Sequence, residues 1–76
     1  MNKIRRKELN EIVSEIQVAK EKLEIILSEE EECRDNIPEN LQQSENYEII
    51  ENTCFLLQDA VDNLDNTIGI IIESIE

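Results

Sequence analysis

The chain contains no histidine and no tryptophan, and it has one glycine and one proline in 76 residues. Without histidine, the usual zinc sites and the Glu-x-x-His motifs of di-iron bundles are excluded. A single glycine is too few for a glycine-rich phosphate loop, and no apolar run approaches the ~20 residues of a membrane span. We therefore expect no metal, no cofactor, no enzymatic activity and no insertion into a membrane.

Basic residues are scarce and confined to one part of the chain. There are 7 basic and 19 acidic residues, for a net charge of −12, and no base follows Arg34. A protein of this charge repels phosphate groups, so we expect neither direct nucleic-acid binding nor attraction to anionic membranes. The charge favours a partner protein with a basic surface.

Apolar residues recur at helical spacing in both halves of the chain. Their alternating intervals of 3 and 4 residues are the pattern of a heptad seam. In the first half the seam comprises Leu9, Ile12, Ile16, Ala19, Leu23 and Ile26, continuing to Glu30 and Cys33. In the second half it comprises Tyr47, Ile50, Cys54, Leu57, Val61, Leu64, Ile68, Ile71 and Ile75. Two long helices are predicted, over about 3–33 and about 45–75.

The segment RDNIPENLQQSEN, between these patterns, has the composition of a corner. Pro38 disfavours helical geometry at Ile37 and lacks a backbone donor, so the first helix is expected to end before it. Ser44 has the side chain of an N-cap for the second helix. A short corner, over about 34–44, makes the helices antiparallel neighbours. The sequence therefore predicts a single all-α domain, an antiparallel two-helix hairpin of the coiled-coil type.

The two cysteines can be placed by pairing the predicted seams. If the seams face each other, Cys33 lies opposite Tyr47 and Cys54 lies opposite Ile26. The thiols are then roughly 10 Å apart along the hairpin at ~1.5 Å per residue, which is too far for a disulfide. Both are predicted to be free, small core residues. Free thiols, and charged residues in place of a secretory signal in MNKIRRKELN, indicate a cytoplasmic protein.

A second apolar row runs beside the seam of the second helix. It comprises Ile49, Leu56, Ala60 and Ile70, and Phe55 and Ile72 are expected to widen it. A stripe of this width exceeds what a two-stranded seam needs. A second copy of the chain covers it most simply, and we expect a homodimer that forms an antiparallel four-helix bundle. The alternative is that the row fills a groove on a different protein.

Acidic residues follow another side of the second helix. The segment DAVDNLDNT, residues 59–67, lacks the glycine and the distant glutamate of a calcium loop. A face that binds a basic partner is one interpretation of these acids, and solubility is the other. The predicted partner-binding face consists of Glu48, Glu51, Asp59, Asp62 and Asp65.

The segment KIRRK, residues 3–7, is basic at the start of the first helix. Cations are unfavourable at this end of a helix because they oppose its dipole. In a hairpin, the end of the second helix lies nearby. We therefore expect Glu73 and Glu76 to pair with these cations.

Residues 34–75 resemble a type of small acidic helical-hairpin protein found in phages and integrated elements of low-GC Gram-positive bacteria. The matching pattern at the corner is D-N-x-P-E-x-L-Q-x-S-E, formed here by Asp35, Asn36, Pro38, Glu39, Leu41, Gln42, Ser44 and Glu45. The resemblance implies a phage or mobile-element origin and an accessory, host-interacting role. It implies no particular activity.

Two hypotheses for function follow from these patterns. In the first, the acidic face of the second helix binds a basic surface of a host or defence protein and keeps nucleic acid from it. In the second, the chain is a structural or assembly protein that acts through its apolar seams, and the charge only maintains solubility.

Overall fold

A computed structural model describes residues 1–76 as two long helices, α1 (Lys3–Asp35) and α2 (Glu45–Ile75), with no strands. A single 3-10 turn, Glu39–Leu41, lies in the corner between them. The helices pack along one another, and the molecule measures 59 × 15 × 13 Å. The predicted all-α hairpin is therefore confirmed. Neither helix contains a stretch that is both long enough and apolar enough to cross a bilayer.

Both helices begin at a side-chain cap. The Asn2 carboxamide oxygen accepts from the backbone N–H of Arg5 over 2.8 Å, and the Ser44 hydroxyl accepts from the N–H of Tyr47 over 3.2 Å. These bonds satisfy donors that have no partner within the helix. The predicted Ser44 cap is confirmed. Helix α1 runs two residues further than the sequence indicated and ends before Pro38, which has no N–H to continue the ladder.

The seam of α2 lies against α1 along its whole length, as predicted. Its most buried members are Cys54, Val61 and Ile68, and the other six predicted positions are half-buried. Regular alternation of 3 and 4 residues keeps these side chains on one stripe of the helix.

The predicted seam of α1 is wrong in one of its two rows. Leu9, Ile16, Leu23 and Glu30 do face α2, but the alternate positions are Val13, Lys20, Leu27 and Arg34. The predicted residues Ile12, Ala19, Ile26 and Cys33 each precede one of these by one position, and all four are exposed. The apolar stripe of α1 is wider than the single helix α2 can cover. Packing on α2 buries Leu27 and pairs Lys20 with an acid of α2, and it leaves the other flank uncovered.

The core of the hairpin is small. Only 4 of the 76 residues are buried, and three of them, Leu27, Cys54 and Val61, form one cluster. Leu23, Ile50 and Leu57 pack against this cluster and are half-buried. Most of the apolar side chains therefore remain in contact with solvent on the surfaces described below.

Candidate protein-binding surfaces

Packing of α1 on α2 gives the hairpin two broad sides, one on each flank of the seam. On one side, the Lys20 ammonium donates to the Asp65 carboxylate across the helices. On the same side, Glu31 and Arg34 of α1 line a hollow together with residues of α2 that include Glu51. We call this flank the acidic side because carboxylates from both helices line it.

The five predicted partner-binding acids all lie on the acidic side or the adjoining outer face of α2, and all are exposed. One of them, Asp65, is paired with a cation, Lys20; Asp62 accepts from the neutral Gln58 carboxamide over 3.1 Å and keeps its charge. The other three, Glu48, Glu51 and Asp59, have no partner within the chain. Four of the five predicted acids therefore keep their negative charge, and two of them, Glu48 and Glu51, lie near the corner of the hairpin.

Lys20 occupies a seam position of α1 and neutralises part of the acidic side. Its side chain is 14% exposed, and its Nζ atom lies 2.7 Å from Asp65 Oδ1 and 3.7 Å from Glu24 Oε1. The hydrogen bond to Asp65 raises the pKa of Lys20, more than burial lowers it. The long aliphatic stem packs in the seam while the ammonium reaches the carboxylates at its edge.

Phe55 lies on the acidic side, where its apolar character did not place it. It was expected to widen the second apolar row, but it lies seven residues from both Glu48 and Asp62 and so shares their face of α2. The ring is 69% exposed and borders a hollow that Glu48 and Glu51 also line. The sequence did contain a sign of this position: Phe55 directly follows the seam residue Cys54, and because a helix turns by ~100° per residue, it must lie to one side of the seam. Ile72, one position after the seam residue Ile71, lies on the acidic flank for the same reason.

The opposite flank of the seam is apolar on both helices. On α2, Ile49, Leu56 and Ile70 are between 56% and 57% exposed, and Ala60 is half-buried beside them. In an antiparallel pair, the flank of α1 that carries Ile12, Ala19 and Ile26 adjoins this flank of α2. We call the seven residues together the apolar side: Ile12, Ala19, Ile26, Ile49, Leu56, Ala60 and Ile70.

The apolar side continues to the corner of the hairpin. Ile37, Pro38, Leu41 and Ile49 line a groove there, together with polar residues at the start of α2. Ile37 is half-buried, whereas Leu41 is exposed. The predicted row on α2 is thus one half of a larger surface, and the half contributed by α1 was missed because Ile12, Ala19 and Ile26 were assigned to the seam.

Both cysteines are free, and their environments differ. Cys54 is buried in the core, and burial raises the pKa of its thiol despite the opposing effect of the nearby Arg34 guanidinium. A thiol in this state is a poor nucleophile. Cys33 is exposed. The prediction that it is a core residue is therefore wrong, because Arg34 holds the adjacent seam position.

The chemistry of the surface groups is that of ion pairing and apolar contact. No three or more cysteine and carboxylate groups are arranged to hold a metal ion. Arg34 donates to Asp35 over 3.1 Å and lies 4.0 Å from Glu31, so the acids near the end of α1 are partly neutralised by a base of the same helix. The arrangement can therefore bind through charge on one side and through apolar area on the other.

Comparisons with protein-family profiles, with curated proteins and with solved structures gave no match to this chain.

Proposed function

We propose that this chain is a non-enzymatic protein-binding protein whose acidic side binds a basic surface of another protein. The observation that supports this function best is the exposed Phe55 ring among the unpaired carboxylates Glu48 and Glu51. Aromatic residues at the centre of a contact surface contribute a large share of binding energy. An aromatic ring beside carboxylates suits an arginine or lysine, because the cation can contact the ring face and the carboxylate together.

The same geometry suits an inhibitor of nucleic-acid binding. A row of carboxylates on a rigid helix presents negative charge along a line, and a phosphate backbone presents its charge to a basic groove in the same way. Bound in such a groove, α2 would exclude nucleic acid from it. The implied phage or mobile-element origin favours a host or defence protein as the partner, and two free thiols suit the reducing cytoplasm.

The apolar side supports a homodimer. With 4 buried residues in 76, a single hairpin buries little of its apolar surface, and small domains commonly gain stability by association. Two hairpins that join their apolar sides form an antiparallel four-helix bundle. Both acidic sides then face outward and remain available to partners.

The acidic side is tested with two variants of equal net charge. The first carries Glu48→Lys, Glu51→Lys and Asp59→Lys. The matched control carries three reversals at exposed acids of α1: Glu11→Lys, Glu15→Lys and Glu21→Lys. The probe is a fluorescent deca-arginine peptide, whose anisotropy is titrated at low and moderate salt.

We expect the first variant to bind the peptide at least about tenfold more weakly than the control, and Phe55→Ala to weaken binding at unchanged net charge. Wild-type affinity should also fall with salt, because exposed charges are screened over ~8–10 Å. Equal losses in the two triple variants, or no effect of Phe55→Ala, would show that only overall charge matters and would contradict a site on the acidic side.

A second candidate function is assembly of a larger protein complex through the apolar side. The observation in its favour is the exposure of Ile49, Leu56 and Ile70, more than half of whose surface contacts solvent. The double variant Leu56→Glu and Ile70→Glu separates the two functions. If the variant keeps its helicity and still binds the deca-arginine peptide, the peptide binds the acidic side. Loss of that binding, despite two added negative charges, would mean that the apolar side is the functional surface.

A further inference from the structure

We infer that the occupant of the apolar side is a second copy of this chain whose corner points in the opposite direction, so that the basic start of each α1 lies beside the acidic corner of the other copy. This inference rests on the proposed dimer and adds its orientation. Two-fold symmetry allows two ways to join the apolar sides. The corners lie either at the same end of the bundle or at opposite ends.

The size of the apolar side fits a second copy. With extents of 59 × 15 × 13 Å, one broad side of the hairpin has a projected area on the order of 800–900 Å², so a second copy lying along it has room for an interface of standard size. Small residues, Ala19 and Ala60, lie near the middle of this side, where they permit close approach of another helix. Large residues, Ile12 and Leu56 among them, lie on either side of these alanines.

Charge is distributed very unequally along the hairpin. One end, which we call the basic end, carries four bases, Lys3, Arg5, Arg6 and Lys7, and three acids, Glu8, Glu73 and Glu76. The other, the acidic end, carries one base, Arg34, and nine acids: Glu29, Glu30, Glu31, Glu32, Asp35, Glu39, Glu45, Glu48 and Glu51. The hairpin is thus strongly polarised along its 59 Å length.

No cation of the basic end forms an ion pair within the single hairpin. The ion pairs of the molecule all involve Lys20 or Arg34. The expected pairing of residues 3–7 with Glu73 and Glu76 is absent from them, so that prediction is wrong. Four cations at the start of a helix also oppose the helix dipole. Because Glu73 and Glu76 form no ion pair with these cations, the cations remain available to a partner's acids.

These charges decide between the two orientations. With the corners at the same end, the two acidic ends lie side by side and repel each other, and the cations of the basic ends gain no contact with the acids of the corners. With the corners at opposite ends, α1 lies antiparallel to the α1 of the second copy, and each basic end adjoins an acidic end. Two-fold symmetry makes this attractive contact twice. Charge complementarity of this kind sets orientation in helical assemblies.

The orientation is measured as a distance between the two corners. In a Cys33→Ser background, Gln43→Cys places one reactive thiol in the exposed corner, and Cys54 stays unlabelled because it is buried. A spin label on Cys33→Ser/Gln43→Cys gives the corner-to-corner distance by double electron–electron resonance, and light scattering gives the molar mass of the same sample. Circular dichroism verifies that the labelled chain is helical.

We expect a dimer mass and a label distance approaching the 59 Å length of the hairpin. A dimer with labels within roughly 25 Å, about two helix diameters, would overturn the orientation and leave the dimer intact. A monomer mass would overturn both the orientation and the dimer. Neither result affects the acidic-side function, which the peptide titration tests separately.

A charge exchange tests the same orientation without a label. Arg5→Glu should weaken the dimer roughly tenfold in sedimentation equilibrium at low salt, and adding Glu29→Lys should restore it, because the exchanged charges attract again. The control Lys22→Glu makes the same charge change near the middle of α1 and should have a smaller effect. If the corners lay at the same end, Arg5→Glu would weaken the dimer no more than Lys22→Glu does, contradicting the inference.

Discussion

Lys20 and Asp65 are 45 positions apart in the chain, and their side chains join the two helices through a 2.7 Å hydrogen bond between Nζ and Oδ1. The lysine stands in the middle of the α1 seam, where the spacing of apolar residues suggested Ala19. In this packing, Lys20 lies on the flank of α1 that faces the acids of α2, and Ile12, Ala19 and Ile26 lie on the apolar side.

The Lys20–Asp65 pair predicts a loss of stability in alkali. Because the folded chain raises the pKa of Lys20, the pair contributes its full stabilisation below the unfolded value of about 10.4 and loses it as the pH rises through the folded pKa. We expect the difference in free energy of unfolding between wild type and Lys20→Met to be constant from pH 7 to about 9.5. Above that range it should move in favour of the variant. Urea unfolding followed by circular dichroism measures it.

The Cys54 thiol requires a control in this experiment. Burial raises its pKa, so the neutral thiol also contributes stability that is lost as the pH rises above the unfolded value of about 8.5. Both Lys20→Met and its reference should therefore carry Cys54→Ala in a second series. If the Lys20 difference did not change with pH in either series, the ion pair would not be coupled to folding.

The sequence predicted the hairpin, the corner and the seam of α2 because each depends on local chemistry: an N-cap, a proline and a regular apolar repeat. The phase of the α1 seam could not be predicted in the same way. Ile12, Ala19 and Ile26 form a more apolar row than Val13, Lys20 and Leu27, so periodicity alone favours the wrong row. The choice depends on Asp65, an acid of the other helix, and on how much apolar surface one partner helix can cover.

For the candidate surfaces too, the sequence predicted what depends on local chemistry and missed what depends on how the helices pack. The acids of α2 were placed correctly as exposed residues, since charged side chains at helical spacing remain in solvent. Phe55 was misplaced because it was grouped with the apolar residues by type, although its register puts it in line with Glu48 and Asp62. The apolar side was only half found, because its α1 half depends on the phase of the seam.

The buried cluster predicts a large difference between two similar substitutions in α1. Leu27→Ala removes a side chain that is 5% exposed and packs on Cys54 and Val61. We expect a loss of about 2–5 kcal/mol in the free energy of unfolding, which approaches the total stability of a small domain. The matched control Ile25→Ala, on the outer face of α1 and 59% exposed, should change it by less than about 1 kcal/mol. Urea titrations at one protein concentration compare them, since dimerisation makes stability depend on concentration. Equal losses would mean that α1 packs through a different face.

Gly69 predicts a stabilising substitution. It lies within α2, its backbone has no positive φ, and a Cβ atom added there would meet nothing within 4 Å. Gly69→Ala should therefore raise the free energy of unfolding by about 0.5–1 kcal/mol, because alanine loses less backbone entropy in a helix.

Gly69 follows Asp62 by seven residues and so lies on the acidic face of α2, away from the apolar side. The variant should keep the wild-type dimer affinity in sedimentation equilibrium, whereas Ala60→Gly, on the apolar side, should lower both stability and dimer affinity. A weaker dimer with Gly69→Ala would mean that another helix approaches at Gly69 and that the copies join through the acidic side.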